Sequence, residues 1–403
     1  MAAATDYPRR MPVLLAVSPP PCPSPVRPSA SRALLSAAAW STWLALAGCG
    51  GGGTTASPSP SPAPAPAPSL AATELAVLIA DGDPTSEAIA LAYQKARGIP
   101  DANLIRVAVP RGSDSISTAD FATLKASLDA KLPATVQATL LTWTQPLRVA
   151  APVAADGSTC SMGITSALTL GYDAKYCGKC VAPITSAYYN VDTRKPWTDL
   201  KLRPSMMLGA STLAAAQALI ARGVAADGSM LNSSITPQAL LVRTTDANRN
   251  VRFGDFQQLV NAHLSGVTTN YRDNLNGSAA NDEFVNQSSV MFYLTGLQNL
   301  TQAASNSYLP GAVADTLTSF GGYLPDALGQ MPITTWLQAG LTGSYGTQEE
   351  PCNYTEKFSR ATLLVARYRR GETLIEAYWK SVQSPGQGLF IGEPLARPWA
   401  VAP

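Results

Sequence analysis

The chain has one histidine among its 403 residues, and that scarcity excludes more chemistry than any motif adds. Serine–histidine and cysteine–histidine catalysis each need this imidazole beside a nucleophile, and a histidine-rich metal centre needs several ligands. His263 falls near the end of a helix expected over Asp255–Leu264, where a cation favours the helix dipole, so its expected role is structural. Charge is scarce too: 14% of residues are charged and the formal net charge is +2. No basic field points to a nucleic acid or another polyanionic partner. After residue 45 no apolar run is long and uninterrupted enough to cross a bilayer. Hydrophobic residues, by contrast, make up 46% of the chain, ample for a sizeable core.

Arg27 and Arg32 precede an apolar run over Ala33–Ala45, short for a spanning helix, which ends in Leu46-Ala47-Gly48-Cys49. Small residues before a thiol look like a bacterial lipobox. Residues 1–48 are therefore expected to be a lipoprotein signal peptide and Cys49 the acylated residue, giving a membrane partner through the lipid. The competing reading is an ordinary signal peptide with an incidental cysteine. Gly50 rather than aspartate follows Cys49, which by resemblance to known lipoproteins points to the outer membrane of the bacterial envelope. Residues 49–72 are glycine-rich, then alternate proline with serine and alanine, as a flexible and then extended tether would. Loss of residues 1–48 removes Arg9, Arg10, Arg27, Arg32 and Asp6 and leaves the mature chain near neutral.

Cys160, Cys177, Cys180 and Cys352 remain. An even number in an oxidising envelope points to two disulfides with three possible connectivities. A zinc site competes, because Cys177-Gly178-Lys179-Cys180 has knuckle spacing, but a second such pair is missing. A thioredoxin-like role would need a strand-to-helix junction that does not frame this pair.

From residue 73 onward, short buried strands alternate with helices. Strands are expected at Leu75–Ala80, Leu104–Val109, Ala138–Trp143 and Ala239–Arg243. Helices are expected from Pro84 to about Arg97, from Ser117 or Thr118 through Leu132, and from Ser211 or Thr212 to near Gly223. Two more fit Thr362–Arg369 and Thr373–Gln383, and Gly388–Pro394 closes the chain. This rhythm predicts one α/β domain over 73–403: three layers, a mostly parallel sheet and helices on both faces. Residues 146–197 break the rhythm, hold three of those four cysteines, and are expected to be a disulfide-stiffened excursion over the sheet's edge.

The stretch Ser289–Glu350 is where a site is expected. Ser289–Leu294 reads as a buried strand closed by Gly296, Ala312–Ala314 as a second, and Leu341–Tyr345 as a third closed by Gly346, with a helix over Ala327–Ala339. Polar and glycine residues after strand ends are where open α/β sheets build sites, which singles out Asp315, Thr318 and Ser319. Asp81/Asp83 and Glu349/Glu350 also follow expected strands. In one parallel sheet their loops would share an edge with Asp315 and Thr144 and could converge as acid and base. The bland alternative is turn formation and solvated charge. Asp246-Ala247-Asn248-Arg249-Asn250 opens like a calcium loop, but Val251 replaces the required glycine and Gln257 the required glutamate, so no metal or cofactor is expected.

Several stretches together resemble an uncharacterised family of bacterial envelope proteins: Arg97-Gly98-Ile99-Pro100, Ser161–Ala167, Arg203–Met207, Ala312–Gly322, Gly343–Thr347 and Gly392-Glu393-Pro394-Leu395-Ala396-Arg397-Pro398. The match spans nearly all of the mature chain and implies a shared fold rather than an activity. A more distant likeness is to gingipain-type cysteine peptidases, which have a caspase-like α/β sheet. It rests on the order Phe292–Gly296, Ala312–Ala314, Trp336–Gly340 and Gly392-Glu393-Pro394. By that likeness Leu297 stands near the place of the histidine and Asp315–Ser319 near that of the cysteine. Without a thiolate and a base in contact, a cysteine peptidase of that type is excluded. The expected function is a non-catalytic envelope lipoprotein that binds a peptide, glycan or protein. The alternative is a hydrolase using the carboxylates or Thr318/Ser319 with an unconventional base.

Overall fold

The computed structural model describes residues 69–403; the expected signal peptide, the lipidation site Cys49 and most of the tether lie outside the described residues. The chain enters at β1 (Leu75–Ala80), whose six side chains are all buried, as a strand covered on both faces must be. Asp83 then opens α1 (Pro84–Arg97). Its carboxylate accepts the amides of Thr85 and Ser86 at 2.9 and 3.1 Å, Pro84 supplies a preset φ, and Gly98 ends the helix at φ +67°. β2 (Leu104–Val107), β3 (Ser115–Ser117), α2 (Thr118–Lys131) and β4 (Ala138–Leu141) follow.

Next come β5 (Arg148–Ala150), β6 (Ser161–Gly163), α3 (Ile164–Leu170), α4 (Pro196–Leu200), β7 (Ser205–Met207), α5 (Leu213–Ala226) and β8 (Gln238–Arg243). Then follow α6 (Phe253–Asn261), β9 (Thr268–Asp273), β10 (Val290–Thr295), β11 (Tyr308–Thr316), α7 (Thr334–Gln338) and β12 (Gly343–Thr347). The chain closes with α8 (Ala361–Arg369), α9 (Leu374–Ser381) and β13 (Gly388–Gly392).

The strands form a ten-stranded sheet in the order β2-β1-β4-β7-β13-β12-β11-β10-β8-β9, and β3, β5 and β6 form a small second sheet. Neighbouring strands of the large sheet are parallel except at β12/β13. The sheet is therefore two parallel halves that run in opposite directions. Helices cover both faces, because adjacent side chains of β10 meet different ones: Phe292 packs on Tyr368 of α8, Tyr293 on Trp336 of α7. The mixed α/β, mostly parallel expectation holds.

Three local expectations change. The helix expected over Ala327–Ala339 is a short 3-10 turn at Ala327–Gly329 followed by the five-residue α7, since Pro332 cannot continue the first. β9 was not expected: Thr268–Asp273 is a polar edge strand with no apolar alternation. The excursion over 146–197 does not lie at the sheet's edge. Gly163 sits so close to Gly388 that an added Cβ would be 1.8 Å from its carbonyl oxygen, and Ser166 Oγ donates to the carbonyls of Pro385 and Gly388. It thus covers β13, at the centre of the sheet.

Candidate functional site

The strand ends of the second half-sheet bring the expected dyad positions side by side. Thr316 Oγ1 accepts the amide of Leu297 at 3.2 Å and donates to its carbonyl at 3.0 Å, tying the end of β10 to that of β11. Neither place carries a titratable base facing solvent. Asp315 lies inside β11 rather than in the loop after it, fully buried. Its Oδ1 meets Arg252 Nη1 at 2.6 Å and its Oδ2 accepts a hydrogen bond from Ser359 Oγ. Its expected place in the loop after the strand is therefore corrected: β11 runs two residues further than its apolar core implies. Thr318 is buried, its Oγ1 has no hydrogen-bond partner, and Gly321 packs on it. Ser319 is half-buried, and the carbonyls of Thr318 and Ser319 accept Thr347 Oγ1 at 3.0 and 2.9 Å.

The two acidic pairs do not converge. Asp81 and Asp83 follow β1, and Glu349 and Glu350 follow β12, whose direction is opposite, so they lie at opposite edges of the sheet. Asp81 is exposed and Asp83 caps α1. Glu349 is buried. Its carboxylate accepts the amides of Ser161 and Gly178 at 2.9 and 2.8 Å and the hydroxyl of Thr159, so it fastens the excursion to the end of β12. Glu350 is half-buried and accepts the Cys352 amide at 2.9 Å. The disulfides pair Cys160 with Cys177 and Cys180 with Cys352, which selects one of the three connectivities and leaves no four-thiolate zinc site. Among the described residues no cluster of three or more His, Cys, Asp or Glu side chains could hold a metal. His263 is exposed just past α6, and Asp246 pairs with Arg249.

Open parallel sheets bind ligands where successive connections diverge. Both such points are closed here. Between β1 and β4, Ser86 Oγ and Thr142 Oγ1 lie 2.7 Å apart, buried, while Ser86 Oγ accepts the Ala80 amide and Thr142 Oγ1 donates to the Leu78 carbonyl. Between β8 and β10, Thr244 Oγ1 donates to the Gly296 carbonyl and Asn250 Nδ2 to that of Thr244 at 2.7 Å. Gly296 is required there, since a Cβ would stand 1.7 Å from the Arg249 carbonyl oxygen.

Open space lies instead beside the loops where β4 and β7 end. A groove of about 490 Å³ runs between the loops after β4 and β7, one side of α5, and the crossover from β11 to β12. Leu219, Leu324 and Leu337 line it, and Arg222 is its one charged lining residue among the described residues. Among the buried polar atoms without partners are two nitrogens of cationic side chains, on Arg222 and Lys357. Arg222 Nε is buried without one, although Nη2 donates to the carbonyls of Leu337 and Leu341; burial lowers its pKa. Lys357, beyond β12, is 1% exposed, and its Nζ has no hydrogen-bond partner. Burial pushes its pKa down to about 8, partly countered by Glu349, Glu350 and Glu356.

The Arg97 and Gly392–Pro398 motifs turn out to be one structural cluster. Arg97 clamps Glu393 with Nε and Nη2 at 3.0 and 2.5 Å and reaches Asp227 at 2.7 Å. Tyr93 donates to Glu393 at 2.6 Å, and Arg397 reaches Ser69 Oγ at 2.7 Å. The sequence alone assigns these motifs no role and does not mark the groove, Arg222 or Lys357. A lone arginine in an alanine-rich helix was the signal available for Arg222.

No family model matches the chain, and no curated protein matches it. A solved structure described as "Structure of Protease" superposes with a TM-score of 0.46 at 10% sequence identity, covering 82% of this chain and 80% of that one.

Proposed function

We propose that this protein is a non-catalytic binding protein of the bacterial envelope, built on a peptidase-like α/β scaffold without its dyad. One observation carries the reading: both divergence points of the sheet, and both expected dyad positions, are closed by the protein's own hydrogen bonds, while the open groove holds no acid–base pair. The full chain, screened against peptide, ester and glycan hydrolysis libraries, should show no turnover. It should show a ligand-dependent rise in melting temperature with a peptide or glycan. Turnover abolished by Ser319→Ala or Thr318→Ala would overturn the reading.

The reading includes a lipid anchor at Cys49 in the outer membrane, supported by the basic residues, short apolar run and small residues before that thiol. Cys49→Ser should move the protein from the membrane to the soluble fraction on sedimentation, and continued membrane association would remove the anchor.

A second reading, hydrolysis, is favoured by Lys357 alone. A buried amine with a depressed pKa is the state a lysine needs to act as a base. In that case turnover would exist and would vanish in Lys357→Met.

A further inference from the structure

Resting on the binding reading, we infer that the groove beside α5 receives the C-terminal end of an apolar peptide, with Arg222 taking its terminal carboxylate. Charge complementarity points there first. Among the described residues Arg222 is the one charged side chain lining the groove, and no carboxylate pairs with it. Its Nη2 is held by the carbonyls of Leu337 and Leu341 at 3.1 and 3.0 Å, which fixes the guanidinium plane, and with Nε buried this leaves Nη1 as the donor a ligand can reach. A prepositioned guanidinium with one free amino group is suited to a carboxylate, which accepts a charge-assisted hydrogen bond from it.

The helix beside it is suited to an apolar body close to that charge. In its fourteen residues, Leu213–Ala226, Arg222 is the only ionisable side chain. Ala215 and Ala218 line the groove and are exposed, small enough for a second backbone to approach closely. Rim hydroxyls and amides on Thr144, Ser211, Thr334 and Gln338 select a peptide over an alkyl chain. Peptide amides can hydrogen-bond them, whereas a hydrocarbon would bury them unpaired. The volume, about 490 Å³, is that of an ordinary ligand pocket and suits a few residues rather than a folded partner.

The test uses the full chain and two matched libraries of fluorescent apolar tetrapeptides, one with free C-terminal carboxylates and one with C-terminal amides. Binding is read by polarisation and peptide integrity by mass spectrometry. Free acids should bind about tenfold tighter than amides, the scale of a charge-assisted hydrogen bond, and Arg222→Met should erase that difference. Because Arg222 also holds two carbonyls, Ala218→Glu is the second variant. It places a like charge on the exposed helix face and should weaken acids more than amides. Equal binding of acids and amides, or a preference that survives Arg222→Met, would overturn the inference and leave a binding protein with another ligand. Absence of binding to either library would overturn it as well. Cleavage of the peptides would remove the non-catalytic reading itself.

Discussion

Lys357 and Asp315 show how differently two buried charges are treated. Asp315 has both carboxylate oxygens engaged, by Arg252 and Ser359, whereas the Lys357 ammonium has no hydrogen-bond acceptor. For Lys357, burial brings the pKa from an ordinary 10.5 to about 8, so the folded protein gives up a proton that the unfolded chain keeps until higher pH. Stability from this residue must rise as pH climbs from about 8 to about 10.5, and the penalty is complete below that window. Lys357→Met should therefore stabilise the protein at pH 7 by up to about 3 kcal/mol, and the advantage should fade by pH 10.5. Urea melts of both proteins at the two pH values read it directly; an advantage independent of pH would mean packing, not charge. Asp315 carries the opposite expectation. Asp315→Asn strands Arg252 in the core and should cost about 3–5 kcal/mol, visible in the same melts. Exposed Asp81→Asn should change stability by less than about 0.5 kcal/mol. A loss of activity on replacing Asp315 would thus report unfolding before it reported chemistry.

At the scale of elements, the excursion over 146–197 depends on a few ties to the strand ends: the buried carboxylate of Glu349, the Ser166 hydroxyl under β13, and the Cys180–Cys352 bridge. That bridge links residues 172 apart in sequence, a loop whose closure is worth about 5 kcal/mol on chain-entropy grounds. Reduction combined with Glu349→Gln should open this segment first. Limited proteolysis with mass spectrometry should then find early cuts between residues 150 and 195 while β10 and β11 stay protected; simultaneous cutting throughout would show that the excursion is not a separate unit. What was legible in the sequence at this scale was local. The all-apolar run of β10, the proline that opens α1, the Ser117 cap of α2 and the Gly98 stop each act within a few residues, and the elements appear where they were expected. Direction was not legible. A buried strand reads the same whichever way it runs, so the reversal at β12/β13 sent Asp81/Asp83 and Glu349/Glu350 to opposite edges. Partners distant in sequence were equally hidden: nothing near Asp315 announces Arg252 or Ser359.

Taken whole, the molecule has an order of assembly that its chain order conceals. β13, the last strand, sits between β7 and β12 at the middle of the sheet, and all five of its residues are buried. It runs parallel to β7 on one side and antiparallel to β12 on the other, so the two half-sheets meet at it. Just beyond it, Glu393 receives Arg97 and Tyr93 from α1, and Arg397 reaches Ser69 at the start of the described chain. The C-terminal segment is thus a central part of the fold rather than a trimmable end, contrary to the ordinary expectation for termini. Ending the chain after Pro385 should remove the strand that joins the halves, leave Arg97 without its buried carboxylate and expose the inner edges of β7 and β12. The truncated protein should lose its cooperative unfolding transition and its near-ultraviolet dichroism. A protease-resistant fragment spanning residues 69–207 would show instead that the first half-sheet folds alone. Glu393→Gln tests the same junction without deleting a strand. Because it leaves Arg97 with only Asp227, it should lower stability by about 3 kcal/mol or more while keeping a single transition. Two separated transitions in that variant would mean that the halves are joined by β13 pairing but stabilised independently.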